Sequence, residues 1–448
     1  MFATIFLAAP LLSFFAHAPA KATITAIEHV RVIDGTGRPP IENATVILEG
    51  DKIISVSAQK PASTPKNAQI IDATGQTLIP GLINAHGHLG LIDGAKNSAT
   101  AYTEDNVLAE LRMYERYGVT TMLSLGGNRD LIYPIRAKQR AGELDGATVF
   151  VADRGIGVPN GAPPLPLAPD QIYRPSTPEE ARRDVQAAAA RHTDFIKIWV
   201  DSLYNTKPEM SPEIYKAVID EAHRQHIPVA AHVYALADAK ALVNAGVDVL
   251  AHSIRDTTVD QQLIDAMKQH GTFYIPTLTV DESFFVFADH PGFANDQFLE
   301  HAANPAILAM LRSPGYRKSV EQNPLTAQHR KDFANAQRNL KLLYDAGVKV
   351  GFGTDSGAMP TRIPGYAEHR ELELMVAAGL TPIEAIHSAT QINARLLEIA
   401  GQTGTICPGK QADLILLAAN PAEDIQNTRK IVRIWHNGRA IEPAIPAQ

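Results

Sequence analysis

Between residues 78 and 354 the chain repeats one pattern: a short apolar, β-branched run, then a longer stretch with apolar residues at helical spacing. Short apolar runs bounded by turn signals read as strands, and their alternation with helices ties successive strands into parallel βα units. Eight strand candidates fall at 78–85, 119–125, 148–153, 194–200, 228–232, 248–252, 272–277 and 349–354. Helical patterns occupy 104–117, 131–141, 178–191, 212–225, 236–244, 261–270 and 325–344, and Pro382 opens another. Eight parallel strands separated by helices predict an α/β chain closed into a (β/α)8 TIM barrel, whose chemistry gathers at the C-terminal ends of its strands.

Those ends carry side chains that can bind metal. The run Ile79-Pro80-Gly81-Leu82-Ile83-Asn84-Ala85-His86-Gly87-His88 ends in two histidines separated by one residue, and alternate strand residues share a face. His232 ends Pro228-Val229-Ala230-Ala231-His232, His252 ends Asp248-Val249-Leu250-Ala251-His252, and Asp355 closes Lys349-Val350-Gly351-Phe352-Gly353-Thr354-Asp355. In a closed barrel the eighth strand lies beside the first and the fifth beside the sixth. His86, His88 and Asp355 then make one candidate metal position, and His232 with His252 a second; imidazole and carboxylate suit zinc. Lys197 lies inside Asp194-Phe195-Ile196-Lys197-Ile198-Trp199-Val200, where a lysine is foreign to a core and must reach the barrel mouth, pair with an acid or serve chemistry.

Two insertions interrupt the spacing. The stretch 155–175 is rich in Pro and Gly, and 280–324 carries Phe284, Phe285, Phe287 and Phe293. Both leave the C-terminal face and are expected to wall or cover a pocket. With 448 residues, 45% hydrophobic, the chain can bury a large core, and a net charge of −7 without a basic block argues against nucleic acid. The single cysteine, Cys407, excludes an intrachain disulfide. An apolar segment followed by Ala16-His17-Ala18 reads as a secretory signal peptide over residues 1–20, although it lacks a basic start; it implies export to the periplasm or beyond and no membrane contact after its removal.

These residues resemble the amidohydrolase superfamily of metal-dependent hydrolases. The resemblance runs from about Ala22 to Ala440, because Val32-Ile33-Asp34-Gly35, Glu49-Gly50-Asp51-Lys52-Ile53 and Pro408-Gly409-Lys410-Gln411-Ala412-Asp413-Leu414 are also similar to the family. It implies a small β-sandwich built from 23–76 and 400–441 around a barrel of 77–399, and a tendency to self-associate. It further implies two zinc ions held by His86, His88, Lys197, His232, His252 and Asp355, with Lys197 carbamylated as the bridging ligand. A metal-bridging hydroxide would attack the substrate carbonyl, with Asp355 shuttling the proton.

Tyr234, two residues after His232, resembles the tyrosine of prolidase-like Xaa-Pro dipeptidases that contacts the substrate carbonyl or oxyanion. Those relatives carry a Gly-Gly-His turn after strand three; here Asp153-Arg154-Gly155-Ile156-Gly157 has no histidine, so Arg154 or Arg255 is the candidate fork for a substrate carboxylate. The leading expectation is hydrolysis of an amide bond in a small peptide or N-acyl amino acid. A mononuclear deaminase or cyclic amide hydrolase similar to imidazolonepropionase, with Lys197 not a ligand, is the alternative. A metal-free scaffold is the reading that the filled ligand positions least favour. His192, His223, His226 and His369 are assigned to solvated faces, and Asn84 to strand-end hydrogen bonding.

Overall fold

A computed structural model describes residues 23–58 and 64–445; the expected signal segment, 1–20, lies outside them. Both ends of the chain build one eight-stranded sheet. The strands Ile24–Val32, Ile41–Glu49, Lys52–Ser57, Gln69–Asp72 and Thr77–Pro80 come from the N-terminal side, and Leu414–Leu417, Ile431–His436 and Arg439–Ile441 from the C-terminal side. Their alternating apolar residues Ile27, Val46, Leu78, Leu414 and Trp435 share a buried cluster, the period-2 pattern that gives a sheet one dry face.

Eight parallel strands follow the expected order. Leu82–Gly87, Val119–Ser124 and Thr148–Val151 form a three-stranded sheet; Ile196–Trp199, Val229–His232, Val249–Ala251, Phe273–Ile275 and Lys349–Val350 form a five-stranded one. Backbone hydrogen bonds join the two sheets at both edges. Ile156 N–H donates to Lys197 O at 2.8 Å on one side, and on the other Ala85 N–H donates to Phe352 O and Thr354 N–H to His86 O, both at 3.0 Å. The Asn393 amide reinforces that second edge by donating to Ile83 O at 2.5 Å and Phe352 O at 2.6 Å.

Helices pack outside the parallel strands in a mixed α/β fold. Glu104–Arg116 shows the logic: Thr103 Oγ1 accepts the Asn106 N–H at 3.2 Å to cap its start, and Gly118, at φ 82°, turns the chain after its end. Its Val107, Leu111 and Tyr114 are buried in one cluster with Met122 of the second strand, each large apolar side chain contributing roughly 1.5–3 kcal/mol of burial. Among the described residues no helix is long and apolar enough to cross a membrane.

Two expectations change, and the 280–324 insertion takes a definite form. The strand expected at 78–85 is divided at Gly81: Thr77–Pro80 pairs antiparallel with Leu414–Leu417 in the terminal sheet, and only Leu82–Gly87 joins the parallel set. A Cβ at Gly81 would lie 2.3 Å from Thr120 Oγ1, so only glycine lets the chain pass that close while it changes partners. The 280–324 insertion is helical, with Val286–Asp289, Gln297–Ala302, Pro305–Arg312 and Pro314–Gln322 gathered on Phe287, Phe298, Leu299 and Leu311. His369 is not on a solvated face. It is fully buried, with its ring nitrogens paired to Tyr117 O at 2.9 Å and Thr428 Oγ1 at 3.0 Å.

Candidate metal centre

The C-terminal strand ends bring the expected side chains together. His86 and His88 leave the first strand, and their Nε2 atoms lie 3.1 and 2.9 Å from the same oxygen, Asp355 Oδ1. His252 bridges the two candidate positions, its ring centroid 4.6 Å from that of His86 and 4.4 Å from that of His232. Lys197 is paired in register with Ala230, two residues before His232 on the neighbouring strand. His252 and Asp355 both hold left-handed backbone, at φ 77° and 56°, a conformation that costs non-glycine residues about 1–2 kcal/mol and collects at functional sites.

Each outer imidazole is oriented through the nitrogen it turns away. His88 Nδ1 lies 3.2 Å from Gly126 O, His232 Nε2 lies 2.8 Å from Asp201 Oδ2, and His252 Nδ1 lies 2.8 Å from Thr277 Oγ1. Such partners fix a ligand's ring plane and tautomer. His86 is buried with neither ring nitrogen hydrogen-bonded, its approach to Asp355 being off the direction of a bond. Burial, then the neighbouring Lys197, push its imidazole down to about 3. Burial likewise lowers His232 and His252. Neutral rings with free lone pairs are the form that binds metal.

Asp355 behaves in the opposite way. Burial alone would raise its carboxyl, but Arg362 on Oδ2 and the contacts to His86 and His88 outweigh it and hold the group well below the usual carboxylate range. Beneath it, the buried Glu368 accepts from Asn84 Nδ2, Thr354 Oγ1 and Ser356 Oγ, each at 2.7 Å, which pins the first strand to the eighth. Lys197 is fully buried, and its Nζ has no hydrogen-bond partner. Burial pushes its ammonium down to about 7, with Asp355 opposing the shift. A buried amine with no acceptor is costly as a cation and open to chemistry as a neutral nucleophile.

A cavity of about 260 Å³ stands over these residues, lined by His88, His232, His252 and Asp355 below and by Trp199, Tyr204, Tyr234, Arg255, Phe284 and Arg362 around. Tyr234 reaches it, with its hydroxyl donating to Asp332 Oδ1 at 3.1 Å; Tyr204 donates to the other oxygen at 2.7 Å. Arg255 is buried, 3.5 Å from Asp281 Oδ1, with its guanidinium 5.2 Å from the Tyr234 ring centroid. Arg154 does not line the cavity. It pairs with Asp130 at 3.0 Å and stacks over Tyr173.

Asp201, Thr277, Asp332 and Arg362 had not been singled out. Asp201 carried a signal: it follows Lys197 and Trp199 at a spacing of two, on the face they share. Thr277 stands at the end of the expected strand 272–277, two residues past the observed end at Ile275, and Asp332 and Arg362 come from segments beyond the strands, where spacing says nothing about direction. Among the described residues two groups could hold an ion, each with ligand atoms within 4.8 Å of one another: His86, His88 and Asp355, and Asp281, His329 and Asp332.

The amidohydrolase family model matches residues 77–441. The chain belongs to the amidohydrolase family, and with that membership it is a hydrolase of carbon–nitrogen amide bonds. It is 27% identical over 470 residues to the ochratoxinase of Aspergillus niger, covering 94% of this chain and 87% of that protein. Among solved structures it is similar to a candidate prolidase from Bifidobacterium longum, with TM-score 0.76 and 26% identity over 96% of this chain and 97% of that one. A Xaa-Pro dipeptidase with methionine bound in its active site shares the fold, with TM-score 0.74 and 24% identity over 94% and 100% of the two chains.

Proposed function

We propose that the chain is a binuclear metal-dependent hydrolase that cleaves the amide bond of small peptides or N-acyl amino acids. In this reading the eight parallel strands close a (β/α)8 barrel within 77–399, whose first residues, Thr77–Pro80, are lent to a β-sandwich otherwise built from 23–76 and 400–441, and the leader-like segment 1–20 exports the protein. Lys197 carries the proposal: a fully buried amine without a hydrogen bond, whose charge is felt by His86, His232 and His252 and by the Asp355 carboxylate. The orphaned nitrogens of His86 and Lys197 fit a metal centre, since each lacks the partner a buried polar atom otherwise finds. His86, His88 and Asp355 would hold one zinc ion, His232 and His252 the other, and Lys197 would join them.

Bound there, the ions would supply Lewis acidity toward a carbonyl oxygen and a water acidic enough to attack at neutral pH. Lys197, with about half of its amine neutral near pH 7 because burial lowers it to about 7, attacks carbon dioxide through Nζ, loses a proton to solvent and becomes an anionic carbamate. Asp355 takes the proton of the attacking water and delivers it to the leaving amine nitrogen, while Arg362 keeps its second oxygen in place. Tyr234, turning its hydroxyl from Asp332, donates to the developing oxyanion. Arg255 receives the substrate carboxylate, and Trp199 and Phe284 take apolar groups.

Elemental analysis of the purified protein beside Lys197→Ala tests this. About two metal ions per chain, falling to one or fewer in the variant, with hydrolysis of dipeptides or N-acyl amino acids stimulated by bicarbonate, is the expected result. One ion in both proteins overturns the binuclear centre and favours a mononuclear deaminase or cyclic amide hydrolase.

A further inference from the structure

Across the loop that follows Asp355, a second cavity of about 260 Å³ opens between the helix Glu104–Arg116 and the helical insertion. Ile92, Met113, Ile307 and Ile363 give it apolar walls, and it shares Met359 and Arg362 with the cavity over the metal centre. One buried guanidinium therefore faces both chambers. Arg362 Nη1 pairs with Asp355, its Nε donates to Ser283 Oγ at 3.1 Å, and its Nη2 makes no hydrogen bond to a described residue. Asn106, Asn304 and two further acid–base groups, His301 and Glu110, also line it; Glu110 Oε2 accepts the Gly90 N–H at 2.6 Å. Burial pushes its carboxyl up to about 8, so at pH 7 it keeps its proton, adds no negative charge and can itself donate.

A cation with a spare donor, set in a hydrocarbon wall, is complementary to one kind of small molecule. We propose that this chamber binds an aliphatic monocarboxylate, its carboxylate on Arg362 and its alkyl chain against Met113, Ile307 and Ile363. A guanidinium matches a carboxylate better than a hydroxyl, and an ammonium placed there would be repelled. An inorganic anion would leave the apolar walls unfilled. Carboxylic acids are also what amide hydrolysis releases, so a product of this enzyme class belongs among the ligands. The site itself rests on the cavity and not on the proposed substrate. Because Arg362 also holds Asp355, occupancy is felt at the metal centre.

Calorimetric titration of the metal-loaded enzyme with butanoate, pentanoate and hexanoate tests the proposal without any substrate. Affinity is expected to rise about fourfold per methylene, the equivalent of about 0.8 kcal/mol for each one buried. Hexylamine is expected not to bind. Ile307→Trp and Met113→Trp fill the chamber and are expected to abolish hexanoate binding, whereas Leu165→Trp, in the wall of the first cavity, leaves it unchanged. Unaltered melting temperatures show that the variants are folded. The proposal is overturned if no saturable binding is seen, if hexylamine binds as well as hexanoate, or if binding survives both chamber-filling variants, whatever Leu165→Trp does.

Discussion

Removing the metal and replacing Lys197 by Met gives a stability experiment whose sign and size follow from burial. The folded-state pKa lies at about 7, against 10.5 in the exposed chain. Above the higher value both states are neutral at this position and nothing is lost. As the pH falls toward 7 the unfolded chain takes up a proton that the folded chain refuses, so stability drops by about 1.4 kcal/mol per pH unit. Below 7 both states are protonated and the loss is constant, at about 5 kcal/mol. Urea unfolding of chelated protein should therefore show wild type gaining about 3 kcal/mol between pH 7 and 9 relative to Lys197→Met, all other titrating groups being common to both. The variant should be the more stable of the two at pH 7. Parallel pH profiles would refute the reasoning, because they would mean that the amine is paired or hydrated when the metal is gone.

Asp201→Asn weakens the acceptor that orients His232, and metal affinity measured against a competing chelator should fall about 10- to 100-fold with the fold intact. Gly81→Ala places a methyl group 2.3 Å from Thr120 Oγ1, and chemical denaturation should register a loss of about 1–3 kcal/mol; the double variant with Thr120→Ala should recover part of it. His369→Leu strands the Tyr117 carbonyl in the interior, while the Thr428 hydroxyl keeps Ile425 O at 2.8 Å, so denaturation should show a loss of about 1–3 kcal/mol with metal content unchanged.

Strand-end residues were legible because direction in a strand is fixed by period 2. His86, His88, His232, His252 and Asp355 could be placed at one face from their positions after apolar runs, and Lys197 stood out because its run was otherwise dry. Residues that orient them were hidden. Asp332 comes from the middle of the helix Thr326–Asp345, and Arg362 from a loop whose path depends on its neighbours. His369 was misplaced because its run, Glu368-His369-Arg370-Glu371-Leu372-Glu373, is charged enough to look like a solvated face. In the fold Glu368 and Glu371 are instead buried acceptors for the site's own loops. Arg154 and Arg255 were equal candidates on composition; only the cavity distinguishes them.

The pairing of Thr77–Pro80 with Leu414–Leu417 has a consequence for synthesis. On one edge Thr77 and Leu78 pair with Arg31 and Val32, but the other edge waits for a strand more than 300 residues downstream, and the same segment runs through Gly81 directly into the strand that carries His86. Until the last part of the chain has emerged, the segment leading into the first metal-binding strand lacks its antiparallel neighbour. A chain terminated just before residue 414 would therefore keep all six candidate ligands and still lack the strand that braces the segment leading to two of them.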